Sequence, residues 1–147
     1  MMLGSLPRLV AILALVTACA PQQEPRLSHV AFRIAVGGTE WELHELRGAV
    51  APLGAGARRA TIRFDADTAR VAGFAGCNRY FGTYALDGAT LRFSGLGMTK
   101  MACAQGMTLE QQLAAALEAT RRYQLGEREL TLLDEAGPVA KFVRPAQ

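Results

Sequence analysis

Residues 79–96 of the chain read RYFGTYALDGATLRFSGL. Apolar side chains occupy alternate positions on both sides of Asp87-Gly88, which is the pattern of half-buried strands. We therefore expect residues 79–86 and 89–96 to form an antiparallel hairpin. Asp87-Gly88 favours a tight type I′ turn, because both central residues of that turn adopt a positive φ angle.

Similar short strands are expected before this hairpin. Residues 39–46 alternate in polarity, and residues 60–65 and 69–75 have the pattern of a second hairpin. Asp65 and Asp67 border the polar turn of that hairpin. We interpret them as turn formers rather than as a catalytic pair of carboxylates, because such side chains readily bond nearby backbone N–H groups.

The most regular apolar spacing in the chain predicts one helix that begins near Thr108. Its apolar positions recur at the spacing of a single helix face, which we expect to pack on the sheet. Thr108 and Gln111 have the spacing of a capping box at the helix N-terminus. The residues of the apolar stripe are Leu109, Leu113, Ala116, Leu117 and Thr120.

Strands, one helix and further strands in that order predict an α+β fold. Residues 123–125, 129–133 and 139–143 supply the strands after the helix. Because hairpins connect most strands, the sheet should be small, antiparallel and strongly curved, in a barrel-like form with the amphipathic helix packed on it. The domain is expected to span residues 37–145. Its large inward-facing side chains are Trp41, Phe64, Phe74, Phe93 and Leu117.

The composition limits the classes of function. The chain has 147 residues, half of them hydrophobic, and its 16 basic and 13 acidic residues give a net charge of +3. That length fits one domain. A balance this small, spread along the chain, argues against a nucleic-acid partner, which needs clustered basic residues. The single long apolar run lies at the N-terminus, so a protein with several membrane spans is also excluded.

Residues 1–18 have the layout of a secretory signal peptide. Arg8 precedes the apolar stretch 9–16, and small residues follow it. Eight apolar residues are too few to span about 30 Å of hydrocarbon as a helix. We therefore expect a cleaved signal rather than a permanent transmembrane helix.

The junction Val16-Thr17-Ala18-Cys19 resembles the bacterial lipobox. In that motif the cysteine thiol accepts a diacylglyceryl group and the cysteine becomes the mature N-terminus, so Cys19 is the expected lipidation site. Several acyl chains on one residue give stable membrane anchoring. Ala20 is not the aspartate that favours inner-membrane retention, so a lipid-anchored protein of the outer membrane, facing the periplasm, is expected. Residues 19–36, with Pro21 and Pro25, are interpreted as the lipidated N-terminus and its tether.

Two cysteines, Cys77 and Cys103, remain for the mature domain. In an oxidising compartment a structural disulfide is the favoured interpretation, and closing a loop of about 26 residues would stabilise the fold by roughly 3 to 4 kcal/mol. Free buried thiols and a redox-active pair stay as alternatives. No metal site is expected, because His29 and His44 are far in sequence from both cysteines and from each other.

Two further segments, residues 76–84 (GCNRYFGTY) and 97–103 (GMTKMAC), resemble the META domain of the HslJ-like heat-shock lipoproteins. The pattern is Gly-x-x-Gly-Cys-Asn-x-Tyr-x-Gly, followed by Met-Thr-x-Met-x-Cys and then a helix. The resemblance covers roughly residues 38–144. The matching positions are Gly73, Gly76, Cys77, Asn78, Gly82, Met98, Thr99, Met101 and Cys103.

This resemblance implies a small barrel-like α+β domain of envelope lipoproteins, which are associated with stress responses and in some relatives with motility or secretion. It implies no defined catalytic activity. We expect no enzymatic activity and no cofactor. The mature part contains only two serines, Ser28 and Ser94, and neither lies in the Gly-x-Ser-x-Gly motif of serine hydrolases.

The signature positions allow two interpretations. In the structural one, Gly76 and Gly82 permit a bulge or a close backbone approach, and Asn78 bonds backbone groups beside the disulfide. In the functional one, some of these side chains form a surface that contacts a partner. The residues considered for that surface are Gly76, Asn78, Arg79, Gly82, Met98, Thr99, Lys100 and Met101.

Two functions are consistent with these observations. The first is a non-enzymatic envelope lipoprotein that supports tolerance of heat or antibiotics by binding or stabilising an envelope component. The second is a pilot-like lipoprotein linked to secretion, whose barrel interior binds a lipid or a hydrophobic peptide. The expected partners are the membrane, through the N-terminal lipid, and an unidentified envelope protein or lipid.

Overall fold

A computed structural model of the protein describes residues 29–146. Within this range the chain forms two α-helices and nine short strands. The helices are α1 (His29–Val36) and α2 (Met107–Ala119). The strands are β1 (Glu40–Leu46), β2 (Ala49–Val50), β3 (Thr61–Asp65), β4 (Arg70–Phe74), β5 (Arg79–Asp87), β6 (Thr90–Met98), β7 (Arg122–Leu125), β8 (Glu129–Leu133) and β9 (Pro138–Val143).

The strands form one antiparallel sheet that curves until its ends meet. The order is β2-β1-β3-β4-β5-β6-β7-β8-β9, and β1 also pairs with β9. Leu43 lies opposite Phe142 in that closing pair, and the register shifts between Leu43 and Glu45. Such an irregularity bends a strand, as a closed sheet requires. The predicted α+β fold with a strongly curved, barrel-like antiparallel sheet is confirmed.

The interior of the closed sheet is filled by its own side chains. Trp41 and Phe64 are fully buried in this core, and Leu117 is 1% exposed. The inward position predicted for Phe74 is wrong: the side chain is 5% exposed, but it lies on the same face of β4 as the exposed Arg70 and Ala72, and Arg58 covers its ring at 4.2 Å. Phe93 is half-buried and packs against the same core. Large apolar side chains of this kind fill a small barrel to the density of a normal protein core.

Helix α2 crosses the ring of strands. It contacts β6 on one side and both β9 and β1, which lie nearly opposite in the ring. The predicted apolar stripe faces inward, with Leu109 and Leu113 buried. The predicted capping box is wrong, because the helix begins at Met107 after Gly106, and no side chain caps it. Thr108 therefore lies inside the first turn rather than before it.

Residues 29–36, which the sequence analysis places in the tether, form helix α1. Phe32 and Val36 are fully buried. The Phe32 ring lies 5.4 Å from the Phe64 ring and 4.6 Å from the Tyr123 ring, so it reaches strands on different sides of the sheet. The weak apolar pattern of this segment belongs to a short helix that packs on the core.

The hairpin of β5 and β6 has a different turn from the predicted one. Asp87 pairs with Thr90, so Gly88 and Ala89 are the two central residues. Of these, only Gly88 has a positive φ angle, 57°. A positive φ at the first central position alone is the requirement of a type II′ turn rather than type I′, and glycine meets it without strain.

Candidate functional site

The two signature segments lie side by side. The disulfide between Cys77 and Cys103 joins the turn after β4 to the segment after β6, with a Cα–Cα distance of 5.8 Å. Cys77 is 3% exposed and Cys103 is half-buried, so the bridge lies at the edge of the core. The predicted disulfide is confirmed.

Asn78, next to the disulfide, bonds two other parts of the chain. Its Oδ1 accepts hydrogen bonds from the Met101 backbone N–H at 2.7 Å and from the Thr99 hydroxyl at 3.0 Å. Its Nδ2 donates to the Met101 carbonyl oxygen at 3.0 Å and to Glu110 Oε1 at 3.2 Å. Because Asn78 is only 2% exposed, these partners replace water. Asn78 thereby fastens the turn after β4 to the segment after β6 and to α2.

Glu110 is the residue of this site that the sequence analysis missed. It is 8% exposed, and its Oε2 accepts the Asn78 backbone N–H at 2.7 Å. A carboxylate that accepts two bonds can occupy such a position without a basic partner. Its helical spacing to Leu113 and Leu117 places it beside the apolar stripe, and this spacing was the available signal. We call this group the Asn78 cluster: Cys77, Asn78, Thr99, Met101 and Glu110.

Thr99 extends the pairing of β5 and β6 into the Asn78 cluster. Its backbone N–H donates to the Arg79 carbonyl oxygen at 3.0 Å, and its Oγ1 accepts the Arg79 backbone N–H at 3.1 Å. The Thr99 hydroxyl is thus used by both Arg79 and Asn78. These contacts fit the structural interpretation of the threonine.

Three glycines allow the backbone to pack tightly behind the cluster. Gly76 has a φ angle of 117° and Gly106 one of 92°, which L side chains rarely adopt. A Cβ atom on Gly106 or on Gly54 would collide with the Gly76 carbonyl oxygen. That oxygen accepts the Ala55 N–H at 2.7 Å. The close approach predicted for Gly76 is therefore present, and Gly54 and Gly106 are its unpredicted partners.

Gly73 makes room for a buried tyrosine. A Cβ atom on Gly73 would collide with the Thr61 carbonyl oxygen and lie 2.7 Å from the Tyr80 hydroxyl. The Tyr80 hydroxyl donates to that carbonyl oxygen at 2.8 Å. Burial, with a smaller contribution from Glu40, raises the pKa of Tyr80 far above its ordinary value. The phenol is therefore held neutral as a structural donor.

Gly82 and Met98 also make contacts that fit a structural role. A Cβ atom on Gly82 would lie 2.9 Å from the Ser94 carbonyl oxygen, next to the register shift between Phe81 and Thr83. Met98 pairs with Tyr80 and packs, partly buried, against the core. These contacts match a bulge that needs a small residue at position 82.

Some side chains in and beside the Asn78 cluster are exposed to solvent. Arg79, Thr99 and Lys100 are exposed, Met101 is 59% exposed and Phe81 is 55% exposed. Met101 bonds to Asn78 through its backbone N–H and carbonyl groups, and Thr99 bonds to it through its hydroxyl. The side chain of Met101 is therefore free to face outward. The site therefore combines a bonded interior with an exposed basic and apolar exterior.

The two acids of the β3–β4 turn bond to neighbours rather than to each other. Asp65 Oδ1 accepts the Asp67 N–H at 3.0 Å and the Thr68 N–H at 3.1 Å. The Thr68 backbone N–H is the main cause of a lowered pKa of Asp65. Asp67 pairs with Arg33 at 3.2 Å. This is the geometry of turn-forming residues.

Some predicted features fall outside the described residues. The signal peptide 1–18, the lipidation site Cys19 and residues 20–28 of the tether belong to this part of the chain. Within residues 29–146, neither helix has the length and hydropathy needed to cross a membrane. The same residues contain no group of three His, Cys, Asp or Glu side chains arranged to hold a metal ion.

Comparison with protein families gives one match to this site and its surroundings. A family model described as META domain matches residues 34–147, which include both signature segments and α2. A comparison with curated proteins finds no match.

Solved structures with a similar fold include an NMR structure of a protein from Burkholderia xenovorans. It is 25% identical, has a TM-score of 0.63, and the alignment covers 99% of this chain and 100% of that chain. A second NMR structure is 23% identical with a TM-score of 0.56, over 71% of this chain and 88% of that chain. A crystal structure of a DUF4847 family protein from Bacteroides vulgatus ATCC 8482 is 16% identical with a TM-score of 0.55, over 79% and 99% of the two chains. The last two similarities concern the fold alone.

Proposed function

The chain belongs to the META domain family, and we propose that it is a non-enzymatic bacterial envelope lipoprotein that supports stress tolerance by binding or stabilising an envelope component. The observation that carries this proposal is the division of the signature between a bonded interior and an exposed exterior. The polar atoms of Asn78 are engaged by Thr99, Met101 and Glu110. Side chains engaged in this way hold a structure together, and the neighbouring exposed side chains are free for a partner.

The lipobox at residues 16–19 supports the envelope part of the proposal. A diacylated and N-acylated Cys19 would anchor the protein stably, because several acyl chains are buried in the bilayer. The absence of Asp at position 20 favours the outer membrane, with the domain facing the periplasm. Metabolic labelling with a palmitate analogue tests this point. We expect label in the wild-type chain and none in Cys19→Ala, and label in both chains or in neither would contradict lipidation at Cys19.

A complementation experiment tests the role in stress tolerance. A strain that lacks the gene would receive the wild-type chain, Arg79→Ala combined with Lys100→Ala, or the control Gln124→Ala. Gln124 is exposed on β7, away from the Asn78 cluster. We expect the wild type and the control to restore survival of heat and membrane-active compounds, and the double variant to restore it poorly. Equal survival with and without the gene would overturn the proposal.

A crosslinking experiment in the same strains identifies the envelope component. Full-length protein with a C-terminal tag is crosslinked in intact cells, and the recovered partners are compared between the wild type and the Arg79→Ala and Lys100→Ala variants. The proposal expects a reproducible envelope component that is lost in the variants. A partner that is recovered equally from both would contradict the assignment of this surface.

The pilot-like alternative places a lipid or a hydrophobic peptide inside the barrel. The filled interior counts against it, since Trp41, Phe64 and Leu117 occupy the space that such a ligand needs. Native mass spectrometry of the delipidated protein discriminates the two functions. A bound mass that survives delipidation would favour the alternative, whereas the bare protein mass favours binding at the surface.

A further inference from the structure

The outward side of β4 and β5 carries several positive charges around one exposed aromatic ring. Strand register and cross-strand contacts bring these residues together from the loop before β3, from strands β3 and β5, and from the segment after β6. They lie next to the Asn78 cluster but are not part of it. We call this surface the basic face: Arg58, Arg63, Arg79, Phe81 and Lys100.

Phe81 lies at the centre of the basic face. Register places Arg63, Ala72, Phe81 and Gly97 in one row across β3, β4, β5 and β6. The ring is 55% exposed and lies over Gly97, where a Cβ atom would be only 2.7 Å from it. Because both neighbours of Phe81 in the row are small, the other side of the ring is open to solvent.

The cations around Phe81 lack acidic partners among the described residues, and Arg58 contacts an aromatic ring instead. Among residues 29–146, Arg63, Arg79 and Lys100 make no ion pair and no side-chain hydrogen bond. Arg58 stacks over the Phe74 ring at 4.2 Å, and Phe74 pairs with Arg79 in the sheet. The charge of the face is therefore available to an external anion.

Acidic side chains border this surface on β1 and at the end of β3. Glu42 on β1 lines a shallow pocket together with Arg58, and it pairs with Arg59 at 3.9 Å. Glu40 on β1 lies opposite Arg63 in the register, and its Oε1 accepts the Thr61 hydroxyl. Asp65 lies at the far end of β3, opposite Arg70. No acid stands in the row between Arg63 and Gly97 or in the segment 97–103. The potential of the central region is accordingly positive although the whole chain is almost neutral.

We propose that the basic face docks the domain on an anionic lipid membrane. Basic side chains around an exposed aromatic suit the water–lipid interface, where cations bind headgroup phosphates and the ring enters the boundary of the acyl chains. The exposed Met101 adds a second apolar side chain at this edge. A membrane is favoured over an acidic protein because the ring needs no complementary pocket there.

This inference rests on the proposed lipidation of Cys19. Ten residue steps separate Cys19 from the first residue of α1, and a chain of that length spans at most about 35 Å. A domain held that close to the bilayer meets it at a high effective concentration, so a modest attraction is sufficient for docking.

Depth-dependent fluorescence quenching tests the proposal on the full chain. The purified protein with Phe81→Trp is reconstituted into phosphatidylcholine vesicles with and without phosphatidylglycerol, both with brominated acyl chains. The fully buried Trp41 gives a constant background. Gln124→Trp on β7, two strands further round the ring, is the matched control.

We expect quenching of position 81 in the anionic vesicles alone, its loss at high salt, and little quenching at position 124. Arg79→Gln and Lys100→Gln are each combined with Phe81→Trp. Each should lower the ratio of docked to undocked protein about fivefold, because one basic residue near an anionic surface contributes about 1 kcal/mol to binding. Circular dichroism of each variant verifies the fold.

Two results would overturn the proposal: no quenching at position 81 in either vesicle, or equal quenching at positions 81 and 124. Loss of partner crosslinks in Arg79→Gln without any quenching would instead assign the face to an acidic protein. The intact mass of the purified chain reports acylation of Cys19 separately. Absence of acylation would contradict the proposed lipoprotein, whereas an acylated chain without quenching would contradict only the docking.

Discussion

Asn78→Ala is expected to release the two signature segments and α2 from one another. The change removes two bonds accepted by Oδ1, from Thr99 and Met101, and two donated by Nδ2, to Met101 and Glu110. A buried hydrogen bond contributes about 1 kcal/mol net, and more when its partner stays buried and unsatisfied, so the free energy of unfolding should fall by about 4 kcal/mol. That loss is a large part of the stability of an ordinary domain.

Urea unfolding of the oxidised protein measures this loss, with the fluorescence of the buried Trp41 as the probe. Thr83→Ala is the matched control, because the Thr83 hydroxyl is exposed and donates one bond, to the Ser94 carbonyl oxygen. We expect the control to change stability by less than about 0.5 kcal/mol. A loss of less than about 1 kcal/mol in Asn78→Ala would refute the reasoning.

A double-mutant cycle with Glu110→Ala tests whether the two side chains act on each other. Asn78→Ala removes the bond from Nδ2 to Glu110 Oε1 and keeps the backbone N–H bond to Oε2, so the cycle isolates the side-chain bond, and the effects should be non-additive by about 1 kcal/mol. Additive losses would show that the contact contributes nothing to stability.

Asn78→Asp extends the same test to charge. The variant keeps the shape of the side chain, but it loses two donated bonds and places a second carboxyl group beside Glu110. Repulsion and burial should raise the pKa of the introduced carboxyl above its ordinary value of about 3.9. The variant should therefore be most stable, relative to wild type, below that value, and it should lose stability as the pH rises through the raised pKa. A pH-independent difference would contradict this view.

Three further predictions follow from the same region. Reduction of Cys77–Cys103 should lower the free energy of unfolding by about 3.5 kcal/mol, as judged from urea midpoints with and without a reductant, because the sequence separation is 26 residues; equal midpoints would contradict it. Gly106→Ala should prevent folding or lower the melting temperature strongly, whereas Gly126→Ala, where a Cβ atom would lie at an ordinary contact distance of 3.7 Å from the Glu129 carbonyl oxygen, should stay within about 0.5 kcal/mol of wild type. In a spectrophotometric titration Tyr80 should stay protonated above pH 10 until the protein unfolds, so that stability falls as the pH rises above about 10; ionisation of Tyr80 in the folded state near pH 10 would be the opposite result.

Features that depend on local periodicity were predictable from the sequence. The strands of both hairpins and the stripe of α2 follow from side chains that alternate or recur at a helical spacing, because a buried face must be apolar. The disulfide was also predicted, since the signal-peptide and lipobox patterns imply an oxidising compartment and leave two cysteines for the domain. The helix start was misplaced, because Gly106 in a left-handed conformation opens α2 where the sequence offers Thr108 and Gln111 as a capping pair.

Features that depend on contacts between distant segments were not predictable in the same way. The spacing of Glu110 to the apolar stripe of α2 indicates that it lies near the core, but an acid in the first turn is also favoured by the helix dipole, and only the position of Asn78 shows its buried partner. Gly54 and Gly106 are 52 residues apart in sequence and meet at the Gly76 carbonyl oxygen. Helix α1 lacks a strong signal because a helix of eight residues shows little more than two turns of periodicity, of which Phe32 and Val36 are the fully buried positions among residues 31–36.

The structural and functional interpretations of the signature are connected through the backbone. Arg79 follows Asn78 directly, and its own N–H and carbonyl groups are both bonded to Thr99. Lys100 lies between Thr99 and Met101, which are both bonded to Asn78. The two cations therefore project from backbone that the Asn78 cluster holds in place, so less conformational freedom is lost when they meet an anionic surface. The inward-facing polar atoms of Asn78 and Thr99 thus fix the backbone from which Arg79 and Lys100 project, and in this way they influence what the outer surface binds.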